Sequence, residues 1–206
     1  MPVLDALYKG ADSAQSYVNG YKDHYANMVR ALDTEGVAKA IEMIEQACAD
    51  DKTIFLMANG GSAAVAGHWV NDLSANSVRE GQPGFRVMSL TDNAYSITAL
   101  ANDASFDEIF AIQLKAAMRP GDLVMAMSVS GNSPNLVRGM EYANENGAHT
   151  IVCTGMEGGR LKGAAELTIH TPSSTDEYGP VEDMFSVFMH IITGYLTMKR
   201  GRPLFH

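Results

Sequence analysis

Two residues four positions apart, His68 and Asp72, fall in a stretch with helical periodicity and so share one helix face. That spacing suits two ligands of one metal ion, and it equally suits a surface hydrogen bond. Near the C-terminus, Glu182 and Asp183 open an apolar run, Phe185-Ser186-Val187-Phe188-Met189-His190-Ile191-Ile192, that carries an imidazole. A histidine among so many apolar neighbours needs a polar partner, either as a satisfied core residue or as a ligand. The two acids also suit the first turn of a helix. Glu182 and His190 are eight residues apart, about 12 Å along an ideal helix and roughly 80° around it. They reach one ion only if their side chains converge.

Three loops carry a second kind of chemistry. Asn59-Gly60-Gly61-Ser62 joins an apolar run to a helix, with paired glycines that permit close backbone approach to a ligand and Ser62 as a candidate N-cap. It fits neither the dinucleotide fingerprint nor the Lys-bearing phosphate loop, and alone it is compatible with an ordinary tight turn. Ser128-Val129-Ser130-Gly131-Asn132-Ser133-Pro134 places Ser133 at an N-cap and Pro134 at the first helical position. Its hydroxyls then converge on a helix N-terminus, a way to bind phosphate without Lys or Arg. Thr171-Pro172-Ser173-Ser174-Thr175 adds hydroxyls at the same edge.

The elements that must position these residues alternate. Apolar runs at 54–58, 86–90, 123–127, 150–153 and 167–170 are continuous, as in strands covered on both faces. Helical stretches fall at about 63–78, 94–102, 108–118, 134–146 and 181–200. Alternation of this kind predicts a doubly wound α/β fold with a mostly parallel sheet, whose ligands sit outside the carboxyl ends of the strands. Ahead of it, 13–50 reads as two helices, with Tyr17, Tyr21, Tyr25, Met28 and Leu32 on one stripe and Val37, Ile41, Ile44 and Ala47 on another. The tyrosine stripe suits core or subunit interface equally. We therefore expect one domain over 1–206, with a helical arm over 1–50 and an α/β core over 51–206.

Composition narrows the function. With 46% hydrophobic and 19% charged residues, disorder and rods are excluded. A formal net charge of -9 disfavours nucleic acid and requires that an anionic ligand be held by local devices. The two cysteines, Cys48 and Cys153, show no metal or disulfide spacing and read as inert thiols. No leader or membrane-length apolar segment is visible, so a cytoplasmic protein is expected, without support for NAD, ATP or lipid.

In this order, Asn-Gly-Gly-Ser, Ser-x-Ser-Gly-Asn-Ser and a terminal helix with an internal His resemble the sugar isomerase (SIS) domain. From about Phe55 to Leu196 the chain more closely resembles the phosphoheptose (sedoheptulose-7-phosphate) isomerases. His68 with Asp72 and the run from Thr91-Asp92-Asn93 through Ala101-Asn102-Asp103 to Phe106 and Ile109-Phe110 add to the likeness. The resemblance implies a flavodoxin-like five-stranded parallel sheet, a homotetramer with sites between subunits, and one zinc ion per subunit. It departs from the family pattern where Asp72 stands for a Glu and Glu182 for a Gln, and also at Asn76 and Gly179.

What the resemblance further implies is an aldose-ketose isomerase acting through a cis-enediol on a phosphosugar. Asp72 is then the base and His190 the partner acid/base, with His68, Asp72, Glu182 and His190 as the metal set. Asn59, Gly60, Gly61, Ser62, Asp92, Asn93, Ser128, Ser130, Ser133 and Ser173 form the substrate and phosphate site. A non-catalytic phosphosugar sensor or replication-initiator partner needs only the serine loops, and an isomerase of another phosphosugar shares the whole set.

Overall fold

The structure is a computed structural model that describes residues 2–75 and 78–201. The departure noted at Asn76 lies outside the described residues. Three helices, α1 (Val3–Gly10), α2 (Ala14–Arg30) and α3 (Thr34–Ala49), precede the first strand. The α/β core then runs β1 (Thr53–Ala58), α4 (Gly60–Ser74), β2 (Arg86–Ser89), α5 (Ala94–Asp103), α6 (Ile109–Ala117), β3 (Leu123–Ser128), α7 (Pro134–Glu145), β4 (His149–Thr154), β5 (Leu167–His170) and α8 (Tyr178–Lys199).

All five strands are parallel, in the order β2-β1-β3-β4-β5. This is the expected doubly wound sheet. Every residue of β1 and β3 is buried because successive side chains enter two different cores. Ile54, Leu56 and Ala58 of β1, with Leu123, Met125 and Met127 of β3, pack under α3, α4 and α8. Phe55 and Met57, with Val124 and Ala126, pack under α6 and α7. Uninterrupted apolar runs therefore reflect a sheet buried on both faces.

The N-terminal arm differs from expectation by one element. Ser13 opens α2 with a capping box to Ser16, and Asp33 caps α3 by accepting the Gly36 N–H at 2.9 Å. The additional helix α1 is only eight residues long and is capped from far away in sequence. Asp176 accepts the Val3 N–H at 3.0 Å and the Asp5 N–H at 2.9 Å, and Ser174 Oγ accepts the Val3 N–H at 3.0 Å. A carboxylate on a helix start is favoured by the dipole, but no local pattern announces a partner more than 170 positions away.

Candidate functional site

Chain reversal at β1 and β3 sends α4 to one face of the sheet and α7 to the other, which opens a crevice at the carboxyl ends of these neighbouring strands. The side-chain amides of Asn59 and Asn135 lock its two sides together, each donating to the other at 2.9 Å. Gly60 sits at φ +55°, a conformation that glycine adopts without strain as the chain swings from β1 into α4. Gly131 (φ +66°) lies so close to the Gly158 carbonyl that no side chain fits there. The resulting cavity, about 270 Å³, is lined by Asn59, Gly60, Gly61, Ser62, Ser128, Ser130, Ser133, Tyr178 and Glu182, among others.

The hydroxyls of this cavity are only lightly committed. Ser133 occupies the N-cap of α7 with Pro134 next, as expected, but among the described residues it makes no capping hydrogen bond. Ser128 Oγ accepts the Gly131 N–H at 3.0 Å and Ser130 Oγ accepts the Asn132 N–H at 3.3 Å, which leaves both hydroxyl protons available to a ligand. Ser62 is not the N-cap of α4. Asn59 holds that position, its amide turned to Asn135, and Ser62 lies one turn inside with its Oγ donating to Glu182 Oε1 at 3.1 Å.

Three residues expected in the substrate site do not line this cavity. Ser173 does not line the cavity, because its Oγ accepts the Met156 N–H at 2.8 Å and ties the loop after β5 to the loop after β4. Asn93 caps α5 by accepting the Ser96 N–H at 3.1 Å, and Asp92 is exposed beside Gly67 of α4. Conversely, Asn135 and Tyr178 belong to the crevice although neither stood out in the sequence. The Asn59–Asn135 pair joins positions 76 residues apart, so neither amide has a local signal.

Helices α4 and α8 run side by side in the same direction. Their seam begins at Ser62 with Glu182, is clamped by Trp69 Nε1 donating to Thr193 Oγ1 at 3.0 Å in a fully buried contact, and carries His68, Asp72 and His190 farther along. The start of α8 is fixed by Glu177, a buried carboxylate that pairs with His24 of α2 and accepts the Ser174 N–H at 2.5 Å.

His68 Nε2 lies 3.3 Å and His190 Nε2 3.6 Å from Asp72 Oδ2, with the two rings edge to face at 5.1 Å between centroids. Both imidazoles are 52% exposed, whereas the Asp72 side chain is 13% exposed and its Oδ1 accepts the Asn71 amide at 3.2 Å. His190 is thus no core residue. It faces outward, and its partner is Asp72. Metal–ligand bonds of about 2.0–2.1 Å in a tetrahedron hold donor atoms roughly 3.4 Å apart. The two Asp72 distances meet that requirement, and all three donor atoms lie within 4.8 Å of one another. The two imidazoles and one carboxylate therefore fit a divalent metal with open positions.

Glu182, expected as a fourth ligand, does not join this group. Its carboxylate sits on Ser62 and Gly61 at the other end of the seam. The neighbouring Asp183 points toward α2, where burial pushes its carboxyl above the ordinary range. Burial, and then the Asp183 charge, push Tyr21 and Tyr25 up as well. Cys153 is fully buried and its thiol is pushed up by that burial, in keeping with an inert thiol.

The SIS domain family matches residues 16–155. A probable phosphoheptose isomerase from Thermoplasma acidophilum is 37% identical over 168 residues, covering 82% of this chain and 91% of that protein. The phosphoheptose isomerase of Rhodospirillum rubrum is 34% identical over 158 residues, covering 77% and 82%. Among solved structures, the phosphoheptose isomerase of Neisseria gonorrhoeae shares the fold at a TM-score of 0.82 and 24% identity, covering 90% of this chain and 100% of that one.

Proposed function

The chain belongs to the SIS domain family, among its phosphoheptose isomerases, and from that premise we propose that it isomerises sedoheptulose 7-phosphate to the corresponding aldose phosphate on the seam between α4 and α8. It is an aldose-ketose isomerase. The observation that carries the site assignment is the Asp72 carboxylate held between two imidazoles, on the helix that starts at a serine-lined cavity.

Isomerisation moves a proton between adjacent carbons through a cis-enediol, so one group must take a carbon-bound proton and another must manage the oxygen proton. Asp72 is the base. Its low exposure and its hydrogen bond from Asn71 fix the carboxylate, and both imidazoles face its Oδ2. His190 exchanges the oxygen proton through Nδ1, the ring nitrogen not turned to Asp72, and His68 orients Asp72 from one turn back. Zinc held by His68, Asp72 and His190 would supply a Lewis acid for the two oxygens of the enediolate.

Length supports this arrangement. Ser62 to His68 is six residues, about 9 Å along the helix. An extended heptose phosphate spans roughly 9–10 Å from phosphorus to its first two carbons, at about 1.25 Å per bond. A phosphate among Ser128, Ser130 and Ser133 at the start of α7, with Ser62 across the cavity, leaves the reacting carbons near Asp72. A stripe of exposed apolar residues on α8, Ile191, Tyr195 and Met198, continues from His190 and suits burial between subunits of a cytoplasmic homotetramer. Among the described residues no helix is long and apolar enough to cross a membrane.

The test is conversion of sedoheptulose 7-phosphate, beside shorter phosphosugars, with and without a chelator, on protein whose metal content has been measured. Turnover with about one zinc per chain, lost to the chelator and restored by zinc, supports the assignment. Turnover that ignores the chelator removes the metal from it, and no heptose turnover removes the substrate.

A further inference from the structure

The serine-lined cavity offers an anion no cation. Among the described residues its lining includes no Lys or Arg, and its one charged member is an acid, Glu182. A phosphate there is opposed by that carboxylate and by the net charge of -9, so each further neutral donor matters. Tyr178 is such a donor. It is the first residue of α8 and, among the described residues, the one aromatic side chain of the lining. Its side chain is 55% exposed and its phenol makes no hydrogen bond to any described residue. Its backbone, in contrast, is held on both sides. Glu177 before it is buried against His24 and the Ser174 N–H, and Pro180 and Val181 after it are buried. A helical side chain leans toward the N-terminus of its helix, and His190 lies twelve residues on, about 18 Å along an ideal helix. Tyr178 therefore stands at the cavity end of α8, away from the Asp72 trio.

We propose that Tyr178 is a specificity-determining residue: its phenol hydroxyl donates to a phosphate oxygen of the substrate, and its ring closes the mouth of the cavity over that phosphate. This deepens the proposed function and rests on it. A phenol brings a donor on a flat apolar body. Ordering it stops rotation about two side-chain bonds, fewer than a Lys or Arg would lose. The ring also keeps water from the bonds between hydroxyls and phosphate, which strengthens them. Both effects act far from the carbons that exchange the proton, so they hold the bound sugar and its transition state alike. A sugar without the phosphate gains nothing from the phenol, and selection for the phosphate ester follows.

The experiment compares the wild-type chain with Tyr178→Phe, which keeps the ring and removes the hydroxyl, and with Tyr178→Ala, which removes both. Binding of inorganic phosphate to the metal-loaded proteins is measured by calorimetry, with metal content and melting temperature alongside, and KM and kcat are measured for sedoheptulose 7-phosphate. An exposed side chain contributes little to stability, so all three chains should melt alike. Phosphate should bind roughly threefold to tenfold more weakly to the Tyr178→Phe chain, the scale of one hydrogen bond, and more weakly again to the Tyr178→Ala chain. KM should rise in the same order, with a smaller change in kcat. Phosphate binding by the Tyr178→Phe chain equal to that of the wild type overturns the proposal. So does a Tyr178→Ala chain that matches Tyr178→Phe, or a loss that falls on kcat and spares KM. Failure of the broader reading looks different, because wild-type protein would then leave sedoheptulose 7-phosphate unconverted, while phosphate calorimetry still decides the Tyr178 contact.

Discussion

The two ends of the α4–α8 seam are built from the same pair of helices and do opposite things. At the start, glycine and serine bring backbone and hydroxyl against a single carboxylate, Glu182, next to a cavity of neutral donors. Farther along, two half-exposed imidazoles close on a mostly buried carboxylate, Asp72. The difference teaches how helix position decides what an acid does. A carboxylate set beside the start of a neighbouring helix meets a serine hydroxyl and the positive end of that helix's dipole. A carboxylate in mid-helix has no backbone donors to meet and is left to its side-chain neighbours, which here are groups able to carry protons.

The contrast breaks most severely at Asp72. Asp72→Asn keeps the fold and the contact with Asn71 but removes the proposed base, so turnover should fall by about 10²–10⁴, read by steady-state kinetics beside an unchanged circular dichroism spectrum. Next comes the clamp that joins the two ends. Trp69→Phe leaves the buried Thr193 hydroxyl without its donor and should cost about 1–3 kcal/mol, read by denaturant titration. At the cavity end, Ser133→Ala should raise KM about twofold to tenfold, one neutral hydrogen bond, with kcat and metal content retained. A kcat loss as large as that of Asp72→Asn would merge the two ends into one machine.

The smallest effect sharpens the comparison within a single turn, since Glu182 faces the cavity and Asp183 the arm. Burial raises the Asp183 carboxyl in the fold, so its charged form is disfavoured there and costs stability above its folded titration range. Asp183→Asn should therefore raise the melting temperature slightly at pH 7, within about 0.5 kcal/mol. The gain should vanish below about pH 3, where the native carboxyl is protonated in the folded and unfolded chain alike. Melting curves at the two pH values check this.

The doubly wound sheet was legible because its five strands are apolar on both faces, a pattern with few competing readings. The α7 loop was equally plain, since Ser133-Pro134 names a helix start without reference to anything distant. His68 with Asp72 was visible as a pair through helical spacing, but that His190 completes it depends on the parallel packing of α4 and α8, which no local pattern encodes. Glu182 stands apart from that trio for the same reason. On one helix it shares a sequence neighbourhood with His190, yet the seam offers it Ser62 first. Asn93 and Ser173 serve as a cap and a loop tie outside the cavity, roles that use the same residue types as ligand sites.

The central claim is that this chain is a phosphoheptose isomerase whose chemistry turns on Asp72. The most direct measurement follows aldose phosphate formation from sedoheptulose 7-phosphate by NMR, with wild-type and Asp72→Asn protein purified and metal-loaded in parallel. The account predicts steady conversion by the wild type and a rate at least a hundredfold lower for a folded Asp72→Asn chain. Wild-type protein that leaves the ketose untouched, or an Asp72→Asn chain that converts it at the wild-type rate, would contradict it.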